Sequence, residues 1–256
     1  MAQRFAGKTV LITGGSSGIG FATAKRIVNE GGRVIITGRD EAKLKQAAAE
    51  LGAQADYVRG DVSSLKEIDA LYATVKQKYG HLDGLFANAG VANFNLSANV
   101  KEDEFDLLFD TNVKGLFFTL QKAVPLLVKG SSVVINASVA ASRGTLSMSV
   151  YGASKAAARA FARSFANENV ANGIRFNAVS PGPIETPIWG RGTDGASSGI
   201  DAADLAAGKE KKAQSNPMKR FGNPDEVAAA VAYLLSSESS YTTGSELFVD
   251  GGVNQL

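Results

Sequence analysis

Two periodicities alternate along this chain. Short runs rich in β-branched residues, such as Val10-Leu11-Ile12 and Val34-Ile35-Ile36, are followed by longer stretches in which apolar residues return every three to four positions. The runs predict strands over 8–13, 33–37, 55–59, 82–86, 132–136, 174–179 and 246–249. The longer stretches predict helices over 19–30, 41–51, 64–78, 150–169 and 225–236. A further helical pattern spans 102–127, with Phe105, Leu108, Phe109, Val113, Leu116, Phe117 and Leu120 at helical spacing. Strand–helix alternation predicts a parallel sheet covered on both faces, and the near-continuous apolarity of the strands agrees with burial on both sides. Right-handed crossovers make such a sheet doubly wound. No Pro/Ser-rich linker, repeat or low-complexity tract interrupts the pattern, so residues 1–256 read as a single α/β domain. The departure is 188–217, where Gly, Ser, Ala and charge take over from Trp189 to Pro217. Long irregular insertions in compact domains are usually functional or disordered. This one is expected to be a mobile excursion that closes over a substrate.

Composition narrows the chemistry. Apolar residues make up 45% and charged residues 20% of the 256, as in ordinary globular proteins. A formal net charge of +2 sets up no strong field toward nucleic acid or membrane, and neither is expected as a partner. The absence of cysteine excludes disulfides, cysteine zinc sites and thiol nucleophiles. A single histidine, His81, argues against a histidine metal cluster or a Ser-His-Asp triad, and no metal site is expected. His81 precedes Leu82-Asp83 in a turn and reads as solvated. The start of the chain lacks a secretory pattern, and no apolar stretch approaches the ~18 residues of a spanning helix. The expectation is a soluble, cytoplasmic protein.

The first strand runs into Thr13-Gly14-Gly15-Ser16-Ser17-Gly18-Ile19-Gly20 and then a helix. Glycines permit a tight turn and a close backbone approach to a pyrophosphate, and the helix N-terminus offers free N–H groups and a positive dipole end. The spacing is G-x-x-x-G-x-G, and a glycine-rich turn alone is a weak signal; its place after the first strand is what favours a Rossmann-type dinucleotide site. Gly14, Ser16, Ser17, Gly18, Ile19 and Gly20 are the candidates. The second strand ends in Thr37-Gly38-Arg39-Asp40, where an acid would bind the 2′-hydroxyl of NAD. Gly38 leaves room there and Arg39 can pair with a 2′-phosphate, which favours NADP(H). The plainer alternative makes Arg39 a solvated helix start and Asp40 its N-cap. Asp61-Val62 and Asn88-Ala89-Gly90 follow the third and fourth strands, where open α/β sheets bind ligands. A helix cap and a turn are the competing readings.

Tyr151-Gly152-Ala153-Ser154-Lys155 opens a predicted helix, so the phenol and the ammonium share a face. A free tyrosine titrates near ~10. A neighbouring cation is expected to lower that value and so suit Tyr151 as general acid for reduction and base for oxidation. In isolation the same spacing also describes a surface Tyr/Lys pair. Ser138, just past a strand end, can donate to a substrate oxygen or be a loop serine. Asn112 lies on the apolar face with Leu108, Phe109 and Leu116, as a satisfied core amide or as a polar relay behind an active site.

Taken in order, Thr13-x-x-x-Gly18-x-Gly20, Asn88-Ala89-Gly90, Asn112, Ser138, Tyr151-x-x-x-Lys155 and Pro181-Gly182 resemble the short-chain dehydrogenase/reductase family. The resemblance continues to Asp250-Gly251-Gly252 and so covers essentially the whole chain. It implies that Ser138 and Tyr151 hold the substrate oxygen. Lys155 would lower the tyrosine pKa and bind the nicotinamide ribose, and Asn112 would anchor a relay water. It also implies that the loop Pro181-Gly182-Pro183-Ile184-Glu185-Thr186 surrounds the nicotinamide, with contacts from Ile184 and Thr186. Ala137 and Ala87 depart from the common pattern without removing a reacting group. The resemblance further implies a homotetramer built on the two long helices and on the last helix and strand. The expected activity is that of an NADP(H)-dependent ketoreductase or secondary alcohol dehydrogenase acting on small or medium ketones. The alternatives are an NAD-linked alcohol or polyol dehydrogenase, a 3-oxoacyl reductase and a non-catalytic dinucleotide sensor. The stretch 126–132 carries a single lysine, Lys129, which weakens an acidic carrier protein as substrate. The run Lys209-Glu210-Lys211-Lys212 reads as a solvated helix face.

Overall fold

The computed structural model describes residues 3–190 and 202–256. Seven parallel strands form one sheet in the order β3-β2-β1-β4-β5-β6-β7. The chain enters at β1 (Thr9–Thr13) and moves outward through α1 (Gly18–Asn29), β2 (Arg33–Gly38), α2 (Glu41–Leu51) and β3 (Ala55–Arg59). It then crosses back by α3 (Leu65–Tyr79) to β4 (Leu82–Ala87) on the other side of β1. From there it continues to β5 (Leu127–Asn136), α6 (Ser149–Asn169) and β6 (Arg175–Pro181), then to α7 (Ala202–Ser215), α8 (Pro224–Leu235) and β7 (Glu246–Val249). The reversal lies between β1 and β4, and a doubly wound sheet opens a crevice at such a point, at the carboxyl ends of the strands.

Side chains alternate across each strand, so two cores form. Leu11, Ile35, Leu85 and Val133 face α3 and α6, together with Leu71, Leu120 and Phe165. Val10, Ile12, Val34, Ile36 and Phe86 face the opposite way, onto Ile27, Leu44 and Val231 of α1, α2 and α8. Local signals set the helix starts. Asp40 accepts from the Lys43 N–H at 3.0 Å, Ser64 accepts from Glu67, and Asn223 with Glu226 forms a capping box ahead of Pro224.

The segment expected as one helix over 102–127 is not one. It is α4 (Glu102–Phe109), a wide π-turn (Asp110–Gly115), α5 (Leu116–Ala123) and a 3-10 turn (Val124–Leu126). Pro125 ends the helix because its ring cannot continue the hydrogen-bond ladder. β5 therefore begins at Leu127, earlier than the pattern indicates, and reaches its regular register only after a shift between Leu82 and Gly84 of its partner. A Cβ at Gly115 would collide with the Val62 carbonyl oxygen, so glycine lets the widened turn press onto the β3–α3 connection.

Of the 188–217 excursion, Pro187–Gly190 forms a 3-10 turn and Ala202–Ser215 a helix, while 191–201 lies outside the described residues. Among the described residues no helix is long and apolar enough to cross a membrane.

Candidate active site

A cavity of about 960 Å³ opens at the carboxyl ends of the strands. Its first wall is the turn between β1 and α1, contributed by Gly14, Ser16, Ser17, Gly18 and Ile19. Gly20 does not line it. A Cβ there would collide with the Gly14 carbonyl oxygen and stand 2.7 Å from Asn88 Nδ2, so Gly20 allows α1 to close against β4. Ser17 is the N-cap of α1 yet makes no side-chain cap bond, and no acid occupies the first turn. The leading N–H groups of α1 thus suit an anion, as a dinucleotide pyrophosphate requires. Thr37 Oγ1, buried at this end of the cavity, has no hydrogen-bond partner among the described residues. The donor set and the orphaned hydroxyl fit a dinucleotide.

Asn88 ties the floor together. Its Nδ2 donates to the carbonyls of Thr13 (3.0 Å) and Gly14 (3.1 Å), and its Oδ1 accepts from Asn136 Nδ2 at 2.9 Å. Thr13 Oγ1 accepts the backbone N–H groups of Asn88 and Ala89. The ends of β1, β4 and β5 are therefore joined through one amide. Asp61 and Val62 line the cavity beyond β3, and the Asp61 carboxylate also caps the next turn through Ser63 N–H and Oγ at 2.9 and 2.8 Å.

At the outer end of the same cavity stand Gly38, Arg39, Asp40 and Lys43. A Cβ at Gly38 would meet nothing closer than 3.7 Å, so the position has room. The Asp40 carboxylate is engaged by its own helix: it accepts the Lys43 N–H and pairs with Lys43 Nζ at 3.0 Å, which lowers its pKa. The N-cap reading of Asp40 is thus what the structure displays.

The candidate reacting groups meet at the other end. Ser138 caps a short 3-10 turn (Val139–Ala141), its Oγ accepting from Ala140 N–H at 3.1 Å, which leaves its O–H to donate. That hydroxyl lies in hydrogen-bond contact with the Tyr151 phenol. Lys155, one turn along α6, is 6% exposed and donates from Nζ to the Asn136 carbonyl at 2.8 Å. Its Nζ lies 5.8 Å from the Tyr151 ring centroid. Burial draws the lysine pKa down to about 8. Burial also raises the phenol pKa, opposed by the Ser138 hydrogen bond. The direction is opposite to the lowering expected from Lys155, because sequence spacing registers the cation but not the desolvation of both groups.

Asn112 is 3% exposed and stands behind Gly90, outside the cavity lining. Its Oδ1 accepts Val91 N–H at 2.9 Å, while its Nδ2 donates to Val91 O and to Ser154 Oγ at 2.8 and 3.1 Å. A Cβ on Gly90 would lie 3.1 Å from Asn112 Oδ1 and 3.3 Å from Lys155 Nζ, so the amide and the ammonium flank the same backbone. Ala89 and Gly90 line the cavity, as do Pro181, Gly182, Ile184 and Thr186 of the loop after β6. That loop abuts the first glycine turn, with Thr186 Cγ2 at 3.3 Å from a Cβ built on Gly18.

Some lining residues carry no sequence signal of their own. Phe94 is an aromatic in a polar loop beyond Gly90, and Val253 and Leu256 come from the C-terminal turn. Lys212, read from sequence as part of a solvated face, lines the cavity because α7 packs beside it. Lys209 of the same run pairs with Glu185.

The family model described as enoyl-(acyl carrier protein) reductase matches residues 14–254. An oxidoreductase of Sarocladium schorii, asL5, is 43% identical over 99% of this chain and 98% of its own length. Levodione reductase of Leifsonia aquatica is 35% identical over 97% of this chain and 95% of its own. A solved short chain dehydrogenase/reductase family protein superposes with a TM-score of 0.85 at 36% identity, covering 99% of this chain and all of the other. With a seven-stranded parallel sheet and similarity along nearly its whole length, the chain belongs to the short-chain dehydrogenase/reductase family, oxidoreductases that use a nicotinamide dinucleotide on CH–OH and C=O groups.

Proposed function

We propose that the chain is an NADP(H)-dependent ketoreductase that interconverts small or medium ketones and secondary alcohols. The observation that carries this reading is the convergence of Ser138 and Tyr151 on one cavity, with Lys155 buried beside them. Bound nicotinamide would supply or accept the hydride. The Ser138 hydroxyl and the Tyr151 phenol together hold the substrate oxygen. The raised phenol pKa keeps Tyr151 protonated at neutral pH, ready to donate to the carbonyl oxygen during reduction. In the reverse direction its oxygen takes the proton from the alcohol. Lys155, fixed on the Asn136 carbonyl, is in place to hold the nicotinamide ribose. Asn112 acts as a positioning residue behind Gly90, with Ser154 as its link to α6. Ser16, Ser17 and Ile19 would cradle the pyrophosphate with Gly14 and Gly18, and Asp61, Val62 and Ala89 would border the adenosine half.

Preference for NADP(H) is supported by Arg39 and Lys43 at the outer end of the cavity and by the engagement of Asp40 with its own helix. Wild-type kcat/KM is expected to favour NADPH over NADH by at least about tenfold, and Arg39→Ser to cut that ratio roughly tenfold, as loss of a charge-assisted phosphate contact does. An NADH preference in the wild type would favour an NAD-linked alcohol or polyol dehydrogenase instead.

A homotetramer belongs to the same reading. Phe105 stacks on Phe109 at 4.4 Å yet is 42% exposed on α4, and Tyr233 and Leu247 are 38% and 37% exposed on α8 and β7. Light scattering is expected to return four times the chain mass of 26.6 kDa. A monomer at micromolar concentration would remove this element.

A further inference from the structure

Phe94 sits four residues past Gly90 and is 41% exposed, although two other rings hold it. Trp189 stacks on it with centroids 5.7 Å apart and planes 17° apart. Tyr151 meets it edge-on at 6.3 Å and 66°. Trp189 is itself fixed: its indole N–H donates to the Ile184 carbonyl at 2.8 Å, and its ring meets Phe221 at 5.2 Å and 70°. Phe94, Tyr151 and Trp189 all line the cavity. The proton-donating phenol is therefore flanked by a rigid two-ring platform, and the spacing of its rings leaves no gap for a third between them.

Aromatic pairs favour offset-stacked or edge-to-face arrangements and gain stabilisation beyond the area they bury, which an aliphatic chain on the same ring does not. Leu146, Met148 and Ile188 add apolar lining to the cavity, which Thr145, Lys212, Ser215 and Asn216 also border. Leu146 is 81% exposed, so apolar surface stands ready to be covered. The Arg143 guanidinium, which also lines the cavity, donates to the Val253 carbonyl and so already serves the C-terminal turn.

We propose that Phe94 and Trp189 select ketones whose carbonyl is borne by or adjacent to a flat ring. This rests on the ketoreductase reading above and narrows its substrate class. The platform acts on specificity: it aligns the substituent while Ser138 and Tyr151 hold the oxygen.

The test is kcat/KM with saturating NADPH on methyl ketones of equal carbon number, namely acetophenone, cyclohexyl methyl ketone and 2-octanone, with 4-oxopentanoate as an anionic comparison. The wild type is expected to favour acetophenone over 2-octanone by about tenfold, near the upper end of what one aromatic pair contributes. Phe94→Ala and Phe94→Leu are expected to bring that ratio close to one, and Phe94→Tyr to retain it. Phe94→Leu keeps apolar volume without a flat face, which separates stacking from general hydrophobicity. Equal losses on acetophenone and 2-octanone in Phe94→Ala would overturn the proposal, as would a wild-type preference for 2-octanone or 4-oxopentanoate. Failure to reduce any of the four with either nicotinamide cofactor would instead overturn the ketoreductase reading beneath it.

Discussion

Tyr151→Phe is expected to lower ketone reduction by about 10²–10⁴-fold, the range that a positioned general acid contributes. The substitution removes the phenolic oxygen and little else. The ring still meets Phe94 edge-on, and the surrounding cavity keeps its shape. Ser138 loses its hydrogen-bond partner but retains the Ala140 N–H that orients it. NADPH affinity, read by quenching or by calorimetry, is expected to change by no more than about fivefold, since one lost neutral hydrogen bond is worth only ~1 kcal/mol at most contacts. Turnover at the wild-type rate would refute the assigned role. The pH dependence carries a sign as well. Because burial raises the phenol, reduction should hold across the neutral range. Oxidation of the matching alcohol needs the deprotonated oxygen, and its rate should climb further into the alkaline range.

Lys155→Met is expected to have the second largest effect, a loss of turnover of about 10²-fold or more, of the order seen when a charged group that orients the reacting partners is removed. It should also change the pH dependence of stability. The ammonium is buried, and its pKa falls to about 8 in the folded chain against the ordinary lysine value of 10.5. Below pH 8 the lysine is charged both folded and unfolded, and the folded state bears the full desolvation penalty. Between 8 and 10.5 the folded chain gives up its proton first, so stability rises with pH over that window. At ~1.4 kcal/mol per pKa unit the whole swing is on the order of 3 kcal/mol. Urea unfolding of wild type and Lys155→Met, compared at pH 7 and above pH 10, should show the wild type gaining on the variant by that order. A pH-independent difference would mean that the ammonium is not desolvated.

Much of this site could be read from spacing because its parts are local. The β1 turn announces itself through Gly14, Gly18 and Gly20 between an apolar run and a helical pattern, and Tyr151 and Lys155 share a face by the geometry of any helix. Other parts arise only from long-range packing. The stripe from Phe105 to Leu120 is periodic throughout, so nothing in it marks the widened turn at Asp110–Gly115. What accompanies that turn is the approach of Gly115 to the Val62 carbonyl, some fifty positions away in the chain, which only glycine permits. The direction of the Tyr151 pKa depends on burial, to which the i, i+4 spacing is blind. Phe94 looked unremarkable within Ala92-Asn93-Phe94-Asn95 until Trp189 and Tyr151 were brought beside it. Lys212 looked solvated because its partner surface is the cavity mouth, assembled from strands that come far earlier in the chain.

The amide of Asn88 binds three strand ends at once, which divides the molecule into parts that can and cannot vary independently. The floor of the cavity is cross-linked to the sheet, so a change there disturbs β1, β4 and β5 together. The walls at the cavity mouth come from loops: Phe94 after β4, Leu146 before α6, and Trp189 after β6. Each can be exchanged without unpicking the floor. Such an arrangement is inherently evolvable, for descendants of one ancestor can acquire new substrates by loop substitution while inheriting an unaltered reaction centre.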